Sequence, residues 1–199
     1  MTYYERRLPH WQPEGKALLV TWRLRGSLPA AALAKMKSTL PCTRGARGQE
    51  CPRHRAPTAG EVFLLMDRAL DRAATGPTWL RDRRAAAVLV ETLRRGELEL
   101  GHYRLYAFVV MPNHVHILIE PKTEAAKALK GLKGASARKI NEILGRTGLP
   151  FWQDESFDHW VRDAGEMERI RSYIERNPVS AGLAGRPEEW PWSSAFQPQ

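Results

Sequence analysis

Apolar residues in this chain gather in short blocks, and the spacing of polar residues around each block predicts its element. Lys16 to Leu24, KALLVTWRL, reads as a first strand after a proline-containing arm, RLPHWQPEG. Pro29 to Leu40, PAAALAKMKSTL, reads as a short helix with proline in its first turn. Residues 41 to 60 are rich in Pro, Gly and Arg and read as a loop. Glu61 to Ala74 has helical periodicity, Thr78 opens a short turn, and Arg81 to Arg95 is a second helical stretch closed by Gly96. The texture then changes. His102 to Val110, HYRLYAFVV, is aromatic and branched, as a strand is. Met111-Pro112-Asn113 is turn chemistry, and His114 to Glu120 is the returning strand of a hairpin. Ala125 to Leu144 is helical, and Pro150 to Trp160 reads as an aromatic-rich connection. A last helix runs from Ala164 to Arg176 and is stopped by Pro178, before an irregular tail at 185–199. No internal repeat is present. The alternation predicts an α+β domain over residues 1–199, with helices packed on one face of a small antiparallel sheet.

Charge changes this picture most. The chain has 199 residues and a formal net charge of +9, mostly from excess arginine. Arginine's planar fork pairs with two phosphate oxygens, so a polyanionic partner suits it; a merely basic soluble protein has the same balance. No run approaches the ~20 apolar residues of a membrane helix. The first residues, MTYYERRLPHWQPEGK, lack a signal peptide's apolar core, so a cytoplasmic protein without membrane attachment is expected. Cys42 and Cys51, with His54 nearby, match no common zinc spacing and lack a fourth ligand. They read as reduced thiols in an exposed arginine-rich loop.

His114 and His116 stand one residue apart in MPNHVHILIE, residues 111 to 120. Side chains alternate along a strand, so both imidazoles leave one face while Val115 and Ile117 leave the other. Their Cβ atoms then lie roughly 6–7 Å apart. Two imidazoles so placed can grip one divalent ion; imidazole suits Mn, Fe, Ni or Zn and tolerates Mg with oxygen partners. The same spacing describes two histidines packed on a sheet face with no ligand. A histidine-triad hydrolase needs a third histidine at the next alternate position, and Leu118 stands there, which excludes that class.

Two histidines leave an ion short of ligands, and chemistry at phosphorus needs a nucleophile. The last helix offers one. Asp163 with Glu166 three residues on forms a capping-box-like start, and Met167, Ile170 and Ile174 make the packing stripe. Tyr173 stands at the edge of that stripe, and Asn177 follows four residues later on the same helical face. Tyr173 is equally placed to be a packing tyrosine with a wet hydroxyl. Asn177 precedes Pro178, which disfavours helical geometry there.

Several segments taken together carry a resemblance: RLPHW, MPNHVHIL, LKGASARKIN, FWQDESFDHWVRD, YIERNPVSAGL and WSSA, in this order. They look like those of the REP-associated tyrosine transposases, bacterial relatives of the single-tyrosine HUH (IS200-like) transposases, from Arg7 to Ala195. Against that pattern, residues near 41–60 look like a basic loop insertion. The resemblance implies a ferredoxin-like fold with the HUH motif on a central strand. It implies that His114, His116 and Asn177 hold Mg2+ or Mn2+ and that Tyr173 is the nucleophile. The implied activity is that of a site-specific single-stranded DNA endonuclease and strand transferase, acting on hairpin (REP-like) DNA through a 5′-phosphotyrosine intermediate. The basic residues then acquire roles: Arg6, Arg7, His10 and Trp11 at the hairpin foot, with Trp11 as a stacking surface, and Lys130, Lys133, Arg138 and Lys139 along the phosphates. Each such lysine is as readily a solvated helix face. The protein would act as a monomer or homodimer. Two other readings use the same residues: a hairpin-DNA binder that does not cut, and a metal-dependent phosphodiesterase using water.

Overall fold

The apolar blocks pair into one sheet. Strands β1 (Leu18–Leu24), β2 (Tyr103–Val110), β3 (His114–Pro121) and β4 (Trp152–Trp160) run antiparallel in the order β2-β3-β1-β4. Around them lie helices α1 (Ala59–Asp71), α2 (Arg83–Leu98), α3 (Ala125–Ile143) and α4 (Ala164–Ser180), with short 3-10 turns at Trp79–Arg81 and Pro187–Glu189. The structure, a computed structural model, describes residues 15–28, 59–73 and 76–198. The arm with Arg6, Arg7, His10 and Trp11, the expected helix at 29–40, and Cys42, Cys51 and His54 lie outside the described residues.

This strand order, with a helical crossover before β2 and another between β3 and β4, is the expected ferredoxin-like arrangement. The two inner strands, β3 and β1, are almost wholly buried because both of their faces are covered. Leu18, Val20, Trp22 and Leu24 of β1, with Val115, Ile117 and Ile119 of β3, pack on Leu89 and Leu93 of α2 and on Leu129 and Ile140 of α3. Each such fully buried side chain contributes about 1.5–3 kcal/mol. This is the helical layer expected from the sequence. A second layer lies beyond it: Leu19, Val109 and Leu118 leave the opposite face and meet Ile174 of α4. Phe63 of α1 stacks on Phe157 of β4, with centroids 4.2 Å apart, over that same face. The histidines belong to this second face.

Four local expectations are corrected. Gly96 does not close α2; the helix runs on to Leu98, and Gly96 is the point where the Tyr103 ring touches the helix backbone. Tyr103 donates its hydroxyl to the Leu93 carbonyl, 2.8 Å away, so a side chain at 96 has no room. Pro178 does not end α4, which continues to Ser180; the proline carbonyl still accepts from Leu183 N–H at 2.8 Å. The aromatic connection at 150–160 is strand β4, hidden in the sequence because it is a sheet edge and carries Gln153, Asp154 and Asp158. The tail is not merely irregular. Val110 N–H donates to Trp192 C=O (2.8 Å) and Ser194 N–H to Phe108 C=O (2.9 Å), so it covers the β2 edge.

Candidate active site

β3 is held centrally, with β2 on one side and β1 on the other. His114 and His116 are fully buried, their ring centroids 4.8 Å apart and nearly perpendicular. Each ring is pinned through Nδ1. For His114 the partner is Asn113 Oδ1 at 2.7 Å, and Asn113 uses its Nδ2 on the Leu70 carbonyl at 2.9 Å. The amide oxygen therefore faces the ring, so Nδ1 carries the proton and Nε2 keeps a bare lone pair. For His116 the partner is the Thr21 hydroxyl, 2.7 Å from Nδ1, on the neighbouring β1 residue in register. A hydroxyl that accepts here leaves His116 Nε2 bare as well.

Both Nε2 atoms point at α1. Asp67 Oδ1 lies 3.1 Å from His116 Nε2 and 3.6 Å from His114 Nε2, and Asp71 Oδ1 lies 3.7 Å from His114 Nε2. From α4, Tyr173 donates its hydroxyl to Asp67 Oδ2, and Asn177 Nδ2 donates to the same oxygen at 3.3 Å. The structure thus brings four sequence-predicted residues, His114, His116, Tyr173 and Asn177, around one carboxylate. Five buried atoms here have no hydrogen-bond partner: both Nε2 atoms, Asp67 Oδ1, Asp71 Oδ1 and Asn177 Oδ1. Leaving one such group unmade costs roughly 1–3 kcal/mol, so a cluster of acceptor-type atoms aimed inward fits a cation. Ligand atoms of Asp67, His114 and His116 all lie within 4.8 Å of one another. Two imidazoles and a carboxylate are a donor set suited to a divalent transition ion or Mg2+, and the Nδ1 partners are the outer support such ligands need.

Electrostatics agree with that fit. Burial lowers His114 to a pKa of about 3, so the ring is neutral and available as a ligand. Burial, and then the Asp67 charge, raises Asp71 to about 7. Burial alone would also raise Asp67; a proton on His116 or His114, and the bond from the Tyr173 hydroxyl, act in the other direction and favour the carboxylate. Tyr173 is pushed far above a normal phenol, first by burial and then by the Asp67 charge.

Asp67 and Asp71 were not among the sequence candidates. The signal was there: Phe63, Asp67 and Leu70 share one face of α1, an acid set inside an apolar stripe. The basic candidates on α3 lie elsewhere. That helix packs on the sheet face opposite the histidines. Lys133 donates its ammonium to the carbonyls of Gln153 (2.9 Å) and Asp154 (3.3 Å), and Lys139 pairs with Glu91 at 3.6 Å. Lys130 and Arg138 are exposed. Among the described residues no helix is long and apolar enough to cross a membrane.

Comparison with solved structures finds a "REP associates tyrosine transposase bound to a REP hairpin", at 18% identity, covering 98% of this chain and 82% of that one with a TM-score of 0.50; at this identity the likeness speaks for the fold. A putative transposase from Deinococcus radiodurans also matches, at 15% identity over 86% of this chain and 98% of that one, with a TM-score of 0.36. No curated protein matches the chain. Residues 83–177 match the family described as "Transposase IS200 like", a span that holds three of the four strands, His114, His116, Tyr173 and Asn177 but not Asp67. Over that span the chain resembles the IS200-like transposases.

Proposed function

We propose that this protein is a site-specific single-strand DNA endonuclease and strand transferase that works through a covalent link to Tyr173. The observation that carries this is the convergence of a tyrosine hydroxyl on the buried cluster of Asp67, His114 and His116. His114 and His116 would hold the ion, with Asp67 and Asn177 supplying oxygens. A divalent ion there, Mg2+ or Mn2+, supplies charge withdrawal from the scissile phosphate and stabilises the leaving oxygen. The protein's own contribution is placement. Asp67 orients the Tyr173 hydroxyl, and Thr21 and Asn113 fix the two rings. In the reaction the Tyr173 oxygen bonds to phosphorus, its proton passes to Asp67 Oδ2, to which it already donates, and the bond from phosphorus to the 3′ oxygen breaks, that oxygen leaving with a proton taken up from solvent. The products are a 5′-phosphotyrosine and a free 3′-OH. The phosphodiester energy is retained, so a 3′-OH can reverse the step and join strands. The tyrosine lies within a helical layer, so the phosphate must reach it on a flexible strand. The solved structure's REP hairpin supports hairpin DNA as the substrate. Arg6, Arg7, His10 and Trp11 are proposed contacts to the hairpin foot.

The test is adduct formation. The protein is incubated with Mn2+ and a hairpin strand labelled downstream of the cut, beside Tyr173→Phe, and resolved on a denaturing gel. Label that travels with the wild type alone is the expected result. Free labelled fragment without adduct would favour a water-using phosphodiesterase. Tight binding with no cleavage would favour a silent binder.

A further inference from the structure

Outside the metal cluster, the end of the sheet where β3 begins carries a feature that neither the cluster nor the core explains. Arg146, in the loop between α3 and β4, lies over Trp79, with its guanidinium carbon 3.7 Å from the ring centroid. Trp79 stacks in turn on Phe151, at 5.4 Å and 28°, and Phe151 packs edge-on against Trp152 of β4 at 4.7 Å. The stack is therefore anchored in the core at one end and is half-exposed at the other. Its backbone is fixed too. Arg146 N–H donates to Asn141 C=O at 2.7 Å, and Asn141 Nδ2 donates to Leu149 C=O at 2.7 Å.

Among the described residues no acid holds Arg146 there. Among the described residues it forms no ion pair, and its Nε atom has no hydrogen-bond partner. Aromatic contact holds the guanidinium, and among the described residues no acid compensates its charge. Arg25 and Arg81 lie on the segments next to the other two members of the stack. Arg25 follows β1, is exposed, and donates its N–H to Phe151 C=O at 2.9 Å; Arg81 is exposed in the same 3-10 turn as Trp79. That turn is tied to the histidine strand, since Leu80 N–H donates to Pro112 C=O at 3.2 Å. Pro112 stands two residues before His114, a backbone reach of about 7 Å.

We infer that the Arg146–Trp79–Phe151 stack is a landing platform for the single-stranded flank of the DNA, a binding site distinct from the metal cluster. A base lies on the outer face of the guanidinium, and Arg25 and Arg81 meet the adjoining phosphates. A half-exposed arginine over an indole suits a nucleobase, because every base has a π-face and the partner needs no fixed sequence. A cation without an acidic partner among the described residues, beside two exposed arginines, suits a polyanion and not a neutral ligand. The inference rests on the reading of the protein as acting on DNA.

The experiment is fluorescence anisotropy on the full-length chain in EDTA, which blocks cleavage. The probes are oligothymidine, a blunt hairpin from repeats flanking the gene, and that hairpin with an oligothymidine tail. Arg146→Ala is expected to bind the tailed hairpin and oligothymidine about tenfold more weakly, with the blunt hairpin unchanged. Arg146→Lys keeps the charge and loses the plane, and is expected to recover only part of that loss. Equal binding by wild type and Arg146→Ala on every probe overturns the platform. So does an equal loss on the blunt hairpin, which would make Arg146 a duplex contact, and so does full recovery in Arg146→Lys, which would leave no role for stacking. Should Arg146→Ala melt below the assay temperature, Arg146→Lys and Arg25→Ala decide alone. Adduct formation with Mn2+ is scored on the same wild-type preparation. Tail-selective binding without adduct keeps the platform and sinks the transferase reading; adduct without tail preference does the reverse.

Discussion

Asp67→Asn separates a metal ligand from a structural acid. The carboxylate takes the Tyr173 hydroxyl and the Asn177 amide on Oδ2, while Oδ1 faces two bare imidazole nitrogens. A carboxamide fits the same space. Its oxygen keeps the two donors, as neutral bonds of roughly 0.5–1.5 kcal/mol instead of the 1.5–3 kcal/mol of charged ones. Its NH2 takes the Oδ1 place, 3.1 Å from His116 Nε2, and satisfies a nitrogen that had no partner. One buried charge disappears as well. These terms offset, so without metal the variant should melt within a few degrees of the wild type, on the order of 1 kcal/mol at 2–4 °C per kcal/mol for a chain this size. With metal the two diverge. The ion now meets N–H hydrogens where it had a negative oxygen. Losing an outer support alone costs about 10–100-fold in affinity, so losing this group should cost about 100-fold or more. At a Mn2+ concentration about 100 times the wild-type Kd, the wild type gains about 2.7 kcal/mol, or roughly 5–11 °C, while the variant gains about 0.4 kcal/mol, or roughly 1–2 °C. Calorimetric titration with Mn2+ and paired melts with and without the ion measure both halves. A wild-type Mn2+ shift in Asp67→Asn would falsify the ligand role. A collapse of the metal-free melt would mean that the carboxylate chiefly holds α1 to the sheet.

Two further outcomes follow from the same geometry. The folded pKa of Asp71, about 7, exceeds its ordinary 3.8, so its contribution to stability falls as pH rises from about 4 to about 7; that of His114, about 3 against an ordinary 6.5, makes stability rise with pH between about 3 and 6.5. The two oppose each other between about pH 4 and 6.5, so in metal-free melts Asp71→Asn should climb more steeply with pH there than the wild type; parallel curves would refute the assignment. Gly96→Ala should lose roughly 1–3 kcal/mol, because its Cβ meets the Tyr103 ring, whereas Gly131→Ala, with open space around it in α3, should be neutral or gain up to about 1 kcal/mol; equal melts for the two would refute the packing argument.

The parts of the site that could be read in the sequence are those whose spacing is local. His114 and His116 announce themselves through the two-residue repeat of a strand, and Tyr173 and Asn177 through the four-residue repeat of a helix. The hairpin at 103–121 and helix α3 were legible for the same reason: their apolar periods are strong and their turn residues plain. Asp67 is a different case. Its stretch was legible as a helix, yet which neighbours that helix's acid meets is decided by chain folding, across 47 residues to His114 and 106 to Tyr173, distances in sequence that no local period encodes. The same limit explains Lys133. Periodicity put it on a helix surface with the other lysines, but the edge strand β4 passes under it and offers two carbonyls, and β4 itself was masked by polar residues that an edge tolerates. Gly96 and Pro178 misled for a related reason. Propensity reads them as helix ends, while the fold uses one to admit a tyrosine ring and carries the other in a final turn without the N–H that would have met the Ile174 carbonyl. The catalytic proposal therefore joins two kinds of information. A strand and a helix carry the recognisable residues, and a third element, α1, supplies the carboxylate that brings them to one point. That carboxylate lies outside the span shared with the IS200-like family, so in this chain the cluster depends on a residue that the shared span does not contain.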